Sequence, residues 1–249
     1  MAQTQRIQIV DGAVLRPTQP WTGTVHRYLA FLRDAGFKAA PAPLEDSLDG
    51  RARVEYLPGE VGNYPVPARL RSREALISSA RLLRELHDVG TRFRRSDRDL
   101  WMVPQDEASE TICHGDFGAY NCVYTNGIAT HIIDFDTAHP APRMWDVSYA
   151  LYRFAPLASP KNSEAFGNLD YKLSRARDFC DAYGLDAQHR PTIAQAVARR
   201  LQALIDFMEQ MAAAGDEKFG HDIERGDSAL YRADILWITE NSEEINSKI

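Results

Sequence analysis

The chain has 249 residues, of which 44% are hydrophobic, and its formal net charge is −6. This length suffices for one large domain or two small ones, with a core that needs no disulfide bond. The acidic excess argues against nucleic acid and anionic membrane surfaces as partners. No apolar run approaches the roughly 18 to 20 residues of a membrane span, and the N-terminus lacks a secretory apolar region, so we expect a cytoplasmic protein.

The N-terminal segment predicts a small β-containing lobe. Asp11-Gly12 lies between two short apolar runs and predicts a β-hairpin. Thr22 is expected to cap a helix over residues 23–35, with Gly36 as its stop. Residues 51–57 are typical of a strand, which Pro58-Gly59 breaks. We therefore expect a small lobe over residues 1–57 and a large lobe over residues 58–249.

The predicted large lobe is mostly helical. Apolar residues recur at helical spacing from Leu76 to Leu86, and Gly90 follows as a stop. Helical periodicity returns near residues 164–183, 192–214 and 228–242.

A second hairpin lies between these helical regions. Asn126-Gly127 is a strong hairpin signal, and a two-residue loop there pairs Thr125 with Ile128. Counting back along both strands places Asn121 opposite Ile132. Asn121 and Asp134 then share one face as diagonal neighbours, with their Cα atoms roughly 7 to 8 Å apart. Amide and carboxylate oxygens at that separation suit a hard cation such as Mg²⁺, which takes its remaining ligands from water and substrate phosphates.

An acidic residue on a loop precedes this pair. The spacing His114-x-Asp116-x-x-x-x-Asn121 is that of a kinase catalytic loop, with Gly115 where protein kinases usually carry arginine. In such loops one aspartate receives the proton of the substrate hydroxyl, while an asparagine and a second aspartate hold Mg²⁺. Asp136 is either a further metal ligand or a polar residue that follows the strand.

The sequence resembles the aminoglycoside phosphotransferase and choline kinase-like family. The resemblance rests on three strings, which are His114-Gly-Asp-Phe-Gly-Ala-Tyr-Asn121, Ile133-Asp-Phe-Asp136 and Trp145-Asp-Val-Ser-Tyr-Ala150. Val14-Leu-Arg-Pro17 and Pro20-Trp-Thr-Gly-Thr-Val25 also resemble a small branch of that family with a trifolitoxin-immunity-type domain.

The resemblance implies a role for each matching residue. Asp116 is then the catalytic base or the residue that orients the substrate hydroxyl, and Asn121 and Asp134 are the Mg²⁺ ligands. His114 braces the loop, and Asp146 is the acid that hydrogen-bonds it. In addition, the backbone of Glu55, Tyr56 and Leu57 resembles the hinge that meets the nucleotide base.

The part of the chain that should cover the phosphates departs from the kinase template. Arg16 stands where a phosphate-binding lysine is expected, and the fifteen residues before it hold one glycine, Gly12. The predicted helix that follows has one carboxylate, Asp34, in its last turn, so the usual lysine–glutamate pair is not expected. Arg16 is either a phosphate contact or a surface strand residue.

The three cysteines carry no metal or disulfide signal. Cys113, Cys122 and Cys180 are an odd number without C-x-x-C spacing, which predicts reduced thiols in or near the core. His131 and His139 do not combine with them at a spacing that zinc sites use.

Together these patterns predict a two-lobed, protein-kinase-like α+β fold with a shortened β-containing N-terminal lobe and a mostly helical C-terminal lobe. The predicted activity is Mg²⁺-assisted transfer of the γ-phosphate of ATP or GTP to a hydroxyl group of a small molecule. The alternative is a non-catalytic binding or immunity protein that sequesters a toxin or metabolite on the same scaffold.

Overall fold

The computed structural model describes residues 7–103 and 108–249. The first six residues of the predicted small lobe therefore lie outside the described residues. The described β-strands are β1 (Gln8–Val10), β2 (Ala13–Arg16), β3 (Pro43–Leu44), β4 (Ala52–Glu55), β5 (Glu60–Val61), β6 (Thr111–Cys113), β7 (Cys122–Thr125), β8 (Ile128–Ile132) and β9 (His139–Ala141). The described α-helices are α1 (Thr22–Asp34), α2 (Arg73–Gly90), α3 (Arg143–Phe154), α4 (Leu169–Tyr183), α5 (Ile193–Ala213), α6 (Glu217–Glu224), α7 (Asp227–Glu240) and α8 (Ser242–Lys248).

The chain divides into two compact units, Met1–Asp146 and Val147–Ile249. The boundary between lobes at residues 57 and 58 stays a prediction. The first unit contains all nine described strands and the first two helices, and α3 begins at its end.

The first sheet is antiparallel and has the order β1-β2-β4-β3. The predicted hairpin at Asp11-Gly12 is confirmed, because both residues have positive φ (49° and 73°), as a tight two-residue turn between right-twisted strands requires. Helix α1 follows and buries the apolar face that includes Tyr28 and Leu32. The prediction that Thr22 caps this helix is wrong: Trp21 is the N-cap, and the Thr22 hydroxyl accepts the N–H of Gln19 at 2.8 Å.

Helix α2 packs against β8 and β6. It begins after Ser72, whose hydroxyl accepts the N–H of Ala75 at 3.1 Å, and it ends at Gly90 as predicted. Strands β5, β7 and β8 form a second sheet, and β6 pairs with β9. Because β6 leads into the loop that carries Asp116, the packing of α2 on β6 helps to fix where that loop begins.

The second predicted hairpin is correct at its turn, but its register changes farther along. Thr125 pairs with Ile128 as expected, yet β8 carries one extra residue, Thr130, between the partners of Tyr124 and Val123. The Thr130 hydroxyl donates to the carbonyl of Val123 at 3.1 Å, across the bulge.

This bulge overturns the predicted pairing of Asn121 with Ile132. Cys122 is the partner of Ile132, and the Asn121 carbonyl instead accepts the N–H of Ile133 at 2.9 Å. Asp134 therefore follows directly after the residue that pairs with Asn121.

The second unit is helical, with α5 packed against α6, α7 and α8. The predicted helices near residues 164–183, 192–214 and 228–242 correspond to α4, α5 and α7. Asp234 of α7 is fully buried and accepts hydrogen bonds from Tyr152, Asn162 and the Ser159 N–H, which ties the loop after α3 to this helix.

Two further features concern the whole described chain. All three cysteines are buried thiols, as predicted. None of the helices in the described residues combines the length and apolar character that a membrane crossing demands.

Candidate active site

The loop after β6 is held by one buried carboxylate. Asp146, at the end of the first unit, accepts the backbone N–H of His114 at 2.6 Å and that of Gly115 at 2.8 Å. His87 of α2 places its Nε2 3.0 Å from the same carboxylate. Burial alone would raise the pKa of Asp146, but the His87 hydrogen bond and the nearby histidines favour the charged form and lower the pKa to about 2. At neutral pH the charged carboxylate therefore holds the start of the loop in place.

His114 connects this loop to β8. Its Nε2 lies 2.9 Å from the carbonyl of Ile133, and its Nδ1 accepts the N–H of Asp116 at 3.3 Å. These two contacts assign the ring proton to Nε2, since a neutral imidazole donates at one nitrogen and accepts at the other. His114 is fully buried. Its position fits the bracing role that the sequence predicts for it.

Gly115 has a conformation that no other residue would tolerate here. Its φ is +85°, and a Cβ atom at this position would lie 2.2 Å from the carbonyl oxygen of Thr137. The Thr137 hydroxyl in turn donates to the carbonyl of His114 at 3.0 Å. Close approach of these two backbone segments thus explains why glycine replaces the arginine of protein kinases at this point of the loop.

Asp116 and Asn121 are in direct contact. The Asn121 Nδ2 donates to the carbonyl of Asp116 at 2.9 Å and to its carboxylate Oδ2 at 3.1 Å. Because the nitrogen makes both contacts, the amide oxygen of Asn121 remains available to a ligand. The residue is 5% exposed. The other carboxylate oxygen of Asp116 accepts the hydroxyl of Tyr120.

Asp134 and Asp136 share one arginine. The Nη1 of Arg16 lies 2.9 Å from Oδ1 of Asp136 and 3.6 Å from Oδ1 of Asp134. The Asp134 side chain is 57% exposed, whereas that of Arg16 is 10% exposed, which disfavours the interpretation of Arg16 as a surface strand residue. Burial raises the pKa of Asp136, and the Asp134 charge acts in the same direction against the opposing effect of Arg16.

Arg16 forms its ion pairs with two aspartates, not with a glutamate of α1 as in the lysine–glutamate pair of the kinase template. Helix α1 offers no glutamate, and the cation on β2 instead pairs with the acids that follow β8. Asp134 has a positive φ of 62°, which aspartate tolerates better than most residues and which sets the direction of the chain as it leaves the strand.

The segment Glu55–Leu57 lies at the end of β4. The N–H groups of Glu55 and Tyr56 donate to the carbonyls of Ala42 and Gly12, each at 2.8 Å. The Glu55 carboxylate accepts the N–H of Ala42 and a guanidinium N–H of Arg33. A nucleotide base bound here would thus have to form hydrogen bonds with the carbonyl groups of residues 55–57 or with the N–H of Leu57.

The residues present fit a magnesium ion. Mg²⁺ prefers oxygen ligands from carboxylates, amides and water. Asn121 offers an oriented amide oxygen, and Asp134 offers an exposed carboxylate. The described residues also bring His87, Cys113 and Asp146 together. There, however, both carboxylate oxygens already accept backbone N–H groups.

Two residues of the site were missed from the sequence. His87 follows Leu83 and Leu86 on the buried face of α2, and a histidine on an apolar face that needs a polar partner was the available signal. Tyr120 lies four residues after Asp116 in a segment that looked like an ordinary turn, so its contact could not be read from spacing.

The segment that contains the loop of Asp116 is similar to a known protein family. Residues 97–183 match the sequence model of the Phosphotransferase enzyme family. The trifolitoxin immunity protein of Rhizobium leguminosarum bv. trifolii is 28% identical over 187 residues, which cover 72% of this chain and 70% of that protein.

The solved structures of two kinases have a similar fold. An amicoumacin kinase bound to AMP-PNP and Ca²⁺ superposes with a TM-score of 0.64 at 14% identity, over 98% of this chain and 89% of that one. A choline/ethanolamine kinase family protein from Mesorhizobium loti has a TM-score of 0.60 at 14% identity, over 96% of this chain and 89% of that one. The predicted α+β kinase-like fold and the predicted resemblance to phosphotransferases, including the trifolitoxin-immunity branch, are therefore confirmed.

Proposed function

We propose that this protein transfers the γ-phosphate of ATP or GTP to a hydroxyl group of a small molecule. The observation that best supports the proposal is the pair of contacts between Asn121 Nδ2 and Asp116. They orient a carboxylate for a substrate hydroxyl and, at the same time, an amide oxygen for a metal ion. The family match and the fold of the two kinases are consistent with this chemistry.

In the proposed reaction, Asp116 orients the acceptor hydroxyl and receives its proton. A bond forms between the acceptor oxygen and the γ-phosphorus, the bond to the bridging oxygen breaks, and the nucleoside diphosphate leaves. Asn121 and Asp134 would hold Mg²⁺, which neutralises phosphate charge when bound. Asp136 is proposed to pair with Arg16 and to lie beside the Mg²⁺ ion as a further acid. Arg16 is proposed to contact the phosphates.

His114 and Asp146 are proposed to act on the loop rather than on the substrate. Their contacts fix the backbone of residues 114–116, so that the Asp116 carboxylate needs little reorganisation when the substrates bind. The backbone of Glu55, Tyr56 and Leu57 is proposed to meet the nucleotide base.

The proposal is tested by following ADP or GDP release from Mg²⁺-nucleotide in the presence of a panel of hydroxylated small molecules. Asp116→Asn keeps the shape of the side chain and should retain nucleotide binding, but phosphate transfer should fall by at least about a hundredfold. Transfer by this variant at the wild-type rate would show that Asp116 is not the base.

A second candidate is an immunity protein that sequesters a toxin without phosphorylating it. The curated relative, a trifolitoxin immunity protein, makes immunity a candidate role and is compatible with either mechanism. The two candidates separate in a protection assay with trifolitoxin: if the protein protects a sensitive strain by phosphorylation, Asp116→Asn should abolish protection. Full protection by that variant would favour sequestration.

A further inference from the structure

Tyr120 is held against Asp116 by its own loop. Its hydroxyl donates to Oδ1 of Asp116, while Asn121 Nδ2 donates to Oδ2 at 3.1 Å. Each oxygen of the carboxylate therefore has a donor from a different residue, and rotation of the carboxylate plane would break both hydrogen bonds. An ionised carboxylate oxygen has room for a second donor, so the hydroxyl of an acceptor can still approach.

The glycine two residues before Tyr120 makes this contact possible. Gly118 has an extended backbone, with φ −137° and ψ 172°, a conformation that any residue adopts. A Cβ atom there would nevertheless lie 2.6 Å from Cε1 and 2.8 Å from Cζ of the Tyr120 ring. The ring thus lies directly across Gly118, and a side chain at position 118 would displace it.

A second aromatic ring adjoins Tyr120. The ring centroids of Tyr64 and Tyr120 are 5.8 Å apart, with planes inclined by 47°. Both side chains are half-buried. The phenol of Tyr120 thus meets the carboxylate at one end while its ring packs against Gly118 and Tyr64.

We propose that Tyr120 is a positioning residue that fixes the Asp116 carboxylate for the acceptor hydroxyl. The inference rests on the proposed phosphotransferase function, and it adds a residue to which the sequence pattern assigns no role. Because Tyr120 acts through Asp116 and not on the nucleotide, its loss should lower turnover without weakening nucleotide binding.

The test uses Tyr120→Phe, which keeps the ring and its packing. With Mg-ATP and water as the acceptor, kcat measured by ADP release should fall about tenfold, while the KM and Kd for Mg-ATP stay within about twofold. The matched control is Tyr124→Phe, which removes the hydroxyl of a buried tyrosine, 3.2 Å from Ser79 Oγ, and should leave kcat unchanged. An unchanged or higher kcat in Tyr120→Phe would overturn the proposal, even if the variant had a lower melting temperature.

Gly118→Ala tests the same contact from the other side. It should lower kcat in the wild-type background, and it should have no effect on kcat in a Tyr120→Ala background, where no ring is left to displace. Equal effects of Gly118→Ala in both backgrounds would contradict the proposed role of the ring.

A wild-type protein that releases no ADP would defeat the proposed function, and the contact itself is then tested by NMR. The ζ-¹³C signal of Tyr120, assigned by its loss in Tyr120→Phe, should shift in Asp116→Ala. An unchanged signal would show that the hydrogen bond is absent and would overturn the inference independently of activity.

Discussion

The guanidinium of Arg16, the last residue of β2, lies 2.9 Å from the carboxylate of Asp136. The same nitrogen lies 3.6 Å from Asp134. Arg16 therefore offsets part of the negative charge of the two acids beside which a metal ion is proposed to bind, and a metal ion and Arg16 would compete for Asp134. Nucleotide phosphates would give the arginine an alternative partner.

Arg16→Met should separate these two effects. Removal of the cation leaves both carboxylates to the metal, so affinity for Mn²⁺ alone, measured by electron paramagnetic resonance, should rise. Affinity for Mg-ATP, measured by calorimetry, should fall about tenfold, or about 1.4 kcal/mol, because a phosphate contact is lost. If neither affinity changes, Arg16 contributes to neither site.

Asp146 should contribute to the acid sensitivity of the fold. Its pKa of about 2 lies below the ordinary value, so its charged form stabilises the fold above about pH 4, and that stabilisation is lost as the pH falls toward 2. The expected contribution is about 2 kcal/mol at neutral pH. In Asp146→Asn, the free energy of unfolding from urea titrations should be lower at pH 7 and should depend less on pH between 4 and 2.

A wild-type-like pH dependence in Asp146→Asn would contradict this account of Asp146. Asp170→Asn is a suitable control, because that aspartate is exposed on α4 and its side chain meets only the surface residue Lys248 among the described contacts. Its free energy of unfolding should change by less than about 1 kcal/mol.

Gly115→Ala should strongly destabilise the loop that carries Asp116. The new methyl group would meet the Thr137 carbonyl at 2.2 Å, and the positive φ is unfavourable for alanine. We expect a loss of about 2 to 4 kcal/mol in the free energy of unfolding, measured by chemical denaturation.

The matched glycine substitution is Gly220→Ala in α6. A Cβ atom at position 220 has no neighbour within 4 Å, so alanine should stabilise the helix by up to about 1 kcal/mol. Equal effects of the two substitutions would show that the approach of Gly115 to Thr137 is not a tight constraint.

Much of the fold followed from local chemistry in the sequence. Asp11-Gly12 and Asn126-Gly127 specify their hairpins because two consecutive residues must adopt positive φ, and few other pairs do so at low cost. The apolar spacing of α2 likewise identifies its buried face. These features need no knowledge of distant residues.

The candidate site was harder to predict from the sequence, because its details depend on contacts between distant segments. The bulge at Thr130 shifts Asn121 by one partner, and nothing in the alternation of β8 distinguishes a bulged strand from a regular one. The role of His87 depends on Asp146, which lies 59 residues away in the chain. Tyr120 required the position of its ring over Gly118.

Calorimetric titration of ATP with and without Mg²⁺, into the wild type and into Asp134→Ala, tests the central claim most directly. The wild type should bind the nucleotide in a Mg²⁺-dependent manner, and Asp134→Ala should lose that dependence, because one of the two proposed metal ligands is missing. Binding by the wild type that is the same with and without Mg²⁺, or no binding at all, would contradict the proposal that Asn121 and Asp134 form the metal site of a phosphotransferase.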